Sequence, residues 1–262
     1  MHLFEVIVLG LIQGLTEFVP ISSSGHLVIA QTMFGQGSDH LFLEVINIGT
    51  FAALLVYFAP KIWSITKDVF ANKKFNLARN ILITAVPAGI VGYLAADFIN
   101  NTAFFGSIWV VVATLFIVGV VMVILEKLPR LSDKESGEKL SVSRALTIGL
   151  AQMLALIPGV SRSGSTIITG RLMGLNAKEA AEYSFLASLP IMAGVTLKVF
   201  IDNSSYLHAN ASTVIVGNLV AFIAGLLAVS ILMRYLAHHS LAIFGWYRIV
   251  LATVIFVVLL VQ

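Results

Sequence analysis

The chain has 262 residues, 58% hydrophobic and only 11% charged, with a mean hydropathy of +0.97. Soluble globular domains carry about 25% charged residues, so a water-soluble fold is excluded, and a net charge of +3 confined mostly to loops argues against nucleic-acid binding. There is no cysteine, hence no disulfide and no thiolate metal ligand.

Apolar runs occupy roughly residues 3–19, 41–59, 81–99, 104–126, 143–160, 180–201, 212–233 and 242–261. Each is near the ~20 residues that carry a helix across a bilayer core. They are too long and continuous for the alternating strands of a barrel, so the expected fold is all-α and polytopic. The first run holds Glu5, Gln13 and Glu17 and has neither a basic leader nor a small-residue cleavage site, so it reads as part of the fold and not as a signal peptide.

Shifting the sequence against itself by 139 positions aligns GLIQGLTEFVPISSSG (10–25) with GLAQMLALIPGVSRSG (149–164). The matches include Gln13 with Gln152, Ser22 with Ser161, Ser24 with Ser163 and Gly25 with Gly164, polar and small residues that chance similarity of apolar helices would not supply. The same offset carries 41–59 onto 180–198 and 104–123 onto 243–262, so the chain reads as two copies of one unit, 1–126 and 140–262, joined by a cytoplasmic linker at 127–139.

Lys and Arg orient the copies. Five fall in 60–80 and five in 127–144, which assigns both stretches to the cytoplasm. If 143–160 crossed completely, the basic 234–248 stretch, with Arg234 and Arg248, would lie outside. A segment that instead enters, turns at Pro158-Gly159 and returns restores the rule, with Lys198 the one basic residue at an outer end. Residues 1–36, entering from the other side, give a second hairpin of opposite sense. The expected architecture is therefore two inverted repeats, each a re-entrant hairpin followed by three spans. Such turns are tolerated at depth only where they are buried in protein or line a watery cavity, and two of them can meet to form one site.

The first turn carries the densest chemistry. Gln13 and Glu17, four residues apart, share a helix face. A carboxylate at membrane depth is costly unless paired or metal-bound, which points to a hard-cation ligand or a base for phosphate chemistry, against the packing alternative of a Glu bonded between helices. Ser22, Ser23, Ser24 and Gly25 open a helix; an N-cap accounts for one serine and not three, and a helix N-terminus also binds phosphate oxygens. His26 in its first turn is a candidate acid, base or nucleophile. In the second turn Arg162 lies between Ser161 and Ser163, followed by Gly164; a guanidinium forks onto phosphate oxygens, and Arg171 is a second candidate. Glu44, Glu182 and Asp97 read as helix-end or packing groups, and His238-His239 as facing water.

The motifs QGLTEFVPISSSGH and PGVSRSGST together resemble the bacterial undecaprenyl-diphosphatase family of the bacitracin-resistance type. The likeness runs along nearly the whole chain, including GRLMG and EAAEYSF. It implies hydrolysis of undecaprenyl diphosphate to the monophosphate carrier, recycled for cell-wall synthesis, in the bacterial inner membrane, with a site opening to the periplasm. It further implies a divalent cation, Mg or Ca, at Glu17; Ser23 and His26 as nucleophile and acid/base; Arg162 on the phosphates; and Gln13, Ser22, Ser24, Gly25, Ser161, Ser163, Gly164, Thr166 and Arg171 around the substrate. Many members have Glu where this chain has Gln13. The partners expected are the polyprenyl diphosphate and the membrane, with a homodimer a possible assembly. A flippase or secondary transporter using the same midplane site is the competing expectation.

Overall fold

The computed structural model describes residues 2–34, 39–128 and 136–261, and among them every regular element is helical. In chain order these are α1 (Leu3–Phe18), α2 (Ser23–Phe34), α3 (His40–Val45), α4 (Asn47–Tyr57), α5 (Ala59–Phe70), α6 (Asn76–Leu94), α7 (Ala96–Asn101), α8 (Ala103–Gly106) and α9 (Ile108–Leu125). After residues 129–135, which take in part of the expected linker and lie outside the described residues, come α10 (Val142–Met153) with a 3-10 turn Leu154–Leu156, α11 (Arg162–Leu172), α12 (Ala177–Asp202), α13 (Ser204–Ala209), α14 (Ala211–Leu236) and α15 (Ala242–Val261).

Among the described residues five helices are long and apolar enough to cross a bilayer: α6, α9, α12, α14 and α15. A sixth span is formed if Leu41–Tyr57 is taken with α5, which bends away from it by 67°. α1 and α10, at 16 and 12 residues, fall short of the ~20 a span needs. Each packs against the helix that follows it, α2 and α11.

Three boundaries differ from the sequence expectation. The basic stretch 60–80 is largely helical, because Lys61 is drawn to Glu182 at 2.8 Å while Trp63 and Phe70 stay exposed, the two-faced pattern of a helix lying along an interface. The span expected at 81–99 begins at Asn76, since Asn80 is buried and donates to the carbonyls of Gly137 and Leu140. Arg248 is not a loop charge: α15 already begins at Ala242, and Arg248 is completely buried inside it. Lys198, awkward by topology, pairs with Asp202 at 2.8 Å.

Helices meet through small residues, as expected where lipid removes the apolar driving force. α1 lies along α14; a Cβ at Gly14 would come within 2.6 Å of the Ala221 carbonyl oxygen, so only glycine permits that approach. α10 lies along α6, α4 along α14, and α9 against α15. Phe18, at the end of α1, stacks edge-on against Phe185 of α12 at 5.6 Å, which seats the first turn in the largest buried cluster.

Candidate active site

The two turns meet at Glu17. Its Oε1 accepts from Arg162 Nη2 at 2.5 Å, and its Oε2 accepts from the Ser23 hydroxyl at 2.7 Å and from Gln13 Nε2 at 3.1 Å. Gln13 also donates to Asn47 Oδ1 at 2.7 Å, so the amide is aimed from both sides. Ser163 Oγ approaches the backbone carbonyl of Glu17 at 3.4 Å. Ser23 and Arg162 are the first residues of α2 and α11, so two helix N-termini, each worth about half a positive charge, face one carboxylate.

Two glycines expected at the substrate bond within their own turns. Gly25 N–H donates to Ser22 Oγ at 3.3 Å and Gly164 N–H to Ser161 Oγ at 3.1 Å, so both cap their helices. Ser24 and Ser163 each lie 3.2 Å from those capping hydroxyls. Ser23 and Arg162, the positions between, differ in the matched turns, and both bond Glu17.

Arg162 retains binding capacity: its Nη1 is buried and has no hydrogen-bond partner among the described residues. A buried guanidinium N–H left without an acceptor is costly, and an anionic oxygen placed there would satisfy it.

His26 stands to one side. Its Nδ1 lies 2.7 Å from the Ser22 carbonyl, which can only accept, so Nδ1 carries the proton. Its Nε2 lies 2.8 Å from the Tyr247 hydroxyl, and the two rings are stacked. Thr166 bonds the Arg162 carbonyl and Ser184 of α12, and so ties α11 to its neighbour. Arg171 pairs with Glu126 at 3.8 Å and donates to the Leu175 carbonyl.

The residue that sequence reasoning missed is Arg248. From α15 it donates to Pro20 of the first turn at 3.1 Å and to Gly159 and Val160 of the second at 2.5 and 3.2 Å, all to carbonyl oxygens. Thr114 takes the remaining Pro158 carbonyl at 2.7 Å. Gly159 is required there: its φ is +86°, and a Cβ would fall 2.0 Å from the Thr114 hydroxyl. Turn carbonyls at membrane depth have no water to bond, and one guanidinium satisfies both turns. The signal was present in the sequence, an ionisable residue well inside an apolar run.

A family model described as "Bacitracin resistance protein BacA" matches residues 6–254. The undecaprenyl-diphosphatase of Corynebacterium efficiens is 38% identical over 258 residues, covering 94% of this chain and 86% of that protein. The undecaprenyl-diphosphatase of Acinetobacter baumannii is 38% identical over 266 residues, covering 98% and 97%, and that of Nitrosospira multiformis 38% over 252 residues, covering 94% and 91%. With its two polar turns joined at Glu17 and Arg162 and a family match over almost its full length, this chain belongs to the BacA family of bacitracin resistance proteins.

Proposed function

We propose that this chain is a membrane-embedded hydrolase that converts undecaprenyl diphosphate to undecaprenyl phosphate and inorganic phosphate. The observation that carries the reading is the buried Arg162, with one nitrogen on Glu17 and the other without an acceptor, beside a serine hydroxyl already bonded to that carboxylate. Relatives named for this activity at 38% identity support it.

Ser23 is the nucleophile in this reading. Its oxygen attacks the terminal phosphorus, its proton passes to Glu17 Oε2 at 2.7 Å, and the bond from phosphorus to the bridging oxygen breaks, releasing the lipid monophosphate. Water then cleaves the phosphoserine to phosphate, with Glu17 returning the proton to the serine oxygen. Arg162 Nη1, which has no acceptor while Nη2 stays on Glu17, takes a phosphate oxygen and neutralises developing charge. A proton passed directly by His26 is less favoured, because both ring nitrogens are engaged elsewhere.

A divalent cation would be held chiefly by the diphosphate: Glu17 is the cluster's one carboxylate, its oxygens already accept from Arg162, Ser23 and Gln13, and no group of three or more potential metal ligands occurs among the described residues, whereas Mg²⁺ commonly takes one or two carboxylates plus phosphate oxygens. Bound there, Mg²⁺ or Ca²⁺ would withdraw charge from the diphosphate.

The offset of 139 and the matching caps at Ser22 and Ser161 support the two inverted repeats. The basic stretches support an inner-membrane orientation with the site opening to the periplasm. A homodimer is the assembly that we carry forward. A flippase needs no hydroxyl aligned on a base, so the Ser23–Glu17 bond favours hydrolysis.

The test is phosphate release from undecaprenyl diphosphate by the purified protein in detergent, with and without EDTA. Release that EDTA suppresses supports both hydrolysis and the cation. Tight binding of the lipid diphosphate without release would transfer the site to transport.

A further inference from the structure

The two copies differ in how one corresponding pair of helices packs. Under the offset of 139 positions α4 corresponds to α12, and α14 is the counterpart of α6. α4 and α14 are in close contact: a Cβ at Gly49 would fall 2.3 Å from the Asn218 carbonyl oxygen, and Asn218 Oδ1 accepts from Gly49 N–H at 2.6 Å. Their counterparts touch at one end, where Tyr183 of α12 bonds the Thr84 hydroxyl and the Asn80 carbonyl of α6, and leave space between them farther along. Between α6 and α12 lies a groove of about 820 Å³, lined by residues 82–93 of the one and 190–202 of the other, with Ala96 of α7. Gly89 and Gly194, the residue type that elsewhere in this fold marks helix contacts, have nothing within 4 Å of where a Cβ would be.

A short chain segment leads from the groove to the site. Leu156 lines it, and is followed within two residues by Pro158-Gly159, whose carbonyls Thr114 and Arg248 hold, and then by Arg162. By the same offset Leu156 is the counterpart of Glu17, so one copy places the reacting carboxylate at this position and the other an apolar side chain. On α12, Ser184 bonds Thr166 of α11, and the groove wall begins at Pro190, six residues or about 9 Å farther along the helix. The lining is apolar except at the far end of α12, where Lys198 and Asp202 pair. Its size is that of a ligand pocket, about 300–1,000 Å³.

We infer that this groove holds the prenyl chain of the lipid diphosphate and sets the enzyme's chain-length preference. The inference rests on the hydrolase reading for the identity of the substrate. The diphosphate lies against Arg162 and Glu17, and the isoprenoid units leave the site past Leu156 and along the space between α6 and α12. A prenyl chain is a poor match for tight helix packing and a good one for an open, glycine-lined wall. The substrate is thus distinguished from a soluble diphosphate by length as well as by charge.

The experiment fills the groove. Gly89→Leu, Gly194→Leu and the double variant add side chains where open space exists, and leucine in place of a mid-helix glycine favours the helix. Steady-state hydrolysis is measured with undecaprenyl diphosphate and with farnesyl diphosphate, the short chain reporting on the intact site and fold. Excluding even two methylenes from an apolar site costs about tenfold in affinity. The expected result is a rise in KM for undecaprenyl diphosphate of about tenfold or more in the double variant, with farnesyl diphosphate turnover within about twofold of the parent. Equal effects on the two substrates, or none, overturn the inference. A photoreactive prenyl monophosphate, crosslinked and mapped by mass spectrometry, gives a readout independent of catalysis. Labelling of α6 and α12 that undecaprenyl phosphate suppresses supports the groove even if the parent releases no phosphate, in which case only the hydrolase reading fails. Labelling elsewhere overturns it, and would leave the groove to ordinary bilayer lipid.

Discussion

Ser22 and Ser161, separated by 139 positions, adopt the same rare backbone: φ is +74° in one and +76° in the other, and each hydroxyl caps its helix by accepting from the glycine N–H three residues on. A left-handed residue costs a non-glycine side chain of the order of 1–2 kcal/mol, and the cap recovers about 1 kcal/mol. Both turns therefore reach the same strained solution, and the strain places Ser23 and Arg162 at the heads of their helices.

Ser161→Ala should lose the cap and keep the strain, whereas Ser161→Gly loses the cap and relieves the strain. The alanine variant should be the less stable of the two by roughly 1 kcal/mol. Thermal unfolding in detergent checks the order; equal melting temperatures would remove the argument from strain.

Arg162→Lys keeps the charge but loses the fork that lets one guanidinium face Glu17 and an anion together. Turnover should fall by about 10²-fold or more, the scale of one transition-state donor, with KM changing less. Glu17→Gln should be as damaging, since it removes the acceptor for the Ser23 proton. Near-normal kcat in either variant would reduce the pair to packing.

Gln13→Glu brings a second carboxylate onto Glu17, where an amide now donates at 3.1 Å, and also removes the donor to Asn47. Without a cation the two like charges repel. The variant should retain activity in excess Mg²⁺ and become more sensitive to EDTA than the parent; phosphate release titrated against chelator measures this, and an unchanged EDTA midpoint would speak against a cation at Glu17.

Tyr247→Phe preserves the stacked ring and deletes the hydroxyl on His26 Nε2. If His26 only braces the first turn through the Ser22 carbonyl, kcat should stay within about threefold, well short of the 10²–10⁴ that general acid–base catalysis supplies. A fall into that larger range would put the histidine and tyrosine on a proton path.

Arg248→Lys cannot fork to both turns, because an ammonium has neither the reach nor the planar donor set. The turns should separate, and since about 1 Å of misplacement can cost 10²-fold, turnover should drop by that order. Arg248→Met should lower thermal stability as well, leaving the Pro20, Gly159 and Val160 carbonyls without their donor. Full activity in the lysine variant would show that each turn holds its place unaided.

The apolar runs were legible because about twenty consecutive apolar residues depart from their surroundings, and Glu17, Ser23 and Arg162 stood out as polar groups in or just after such runs; that they bond one another took the fold to show. Thr166, Gly25 and Gly164 matched the motif, but a motif records residue types and not directions: Thr166 bonds the Arg162 carbonyl and Ser184 of α12, and the two glycine N–H groups donate to the Ser22 and Ser161 hydroxyls. Arg248 was misjudged because charge counting assigned it to a loop before its depth in α15 was known. The groove could not be read at all: Gly89 and Gly194 look like the glycines at helix crossings, and only the spacing of two backbones tells one kind from the other.

Arg248 also sets an order of events. It follows Pro20 and Gly159 by 228 and 89 positions, so a ribosome delivers both turns long before the side chain that unites them. Synthesis proceeds from the N-terminus at about 5–20 residues per second, and for that interval the turn carbonyls must borrow water or lipid headgroups as partners. A nascent chain halted before α15 could insert its earlier spans and still be catalytically silent. Competence arrives in a single late step, and a truncated product would carry Glu17, Ser23 and Arg162 without the geometry that makes them dangerous to a lipid diphosphate.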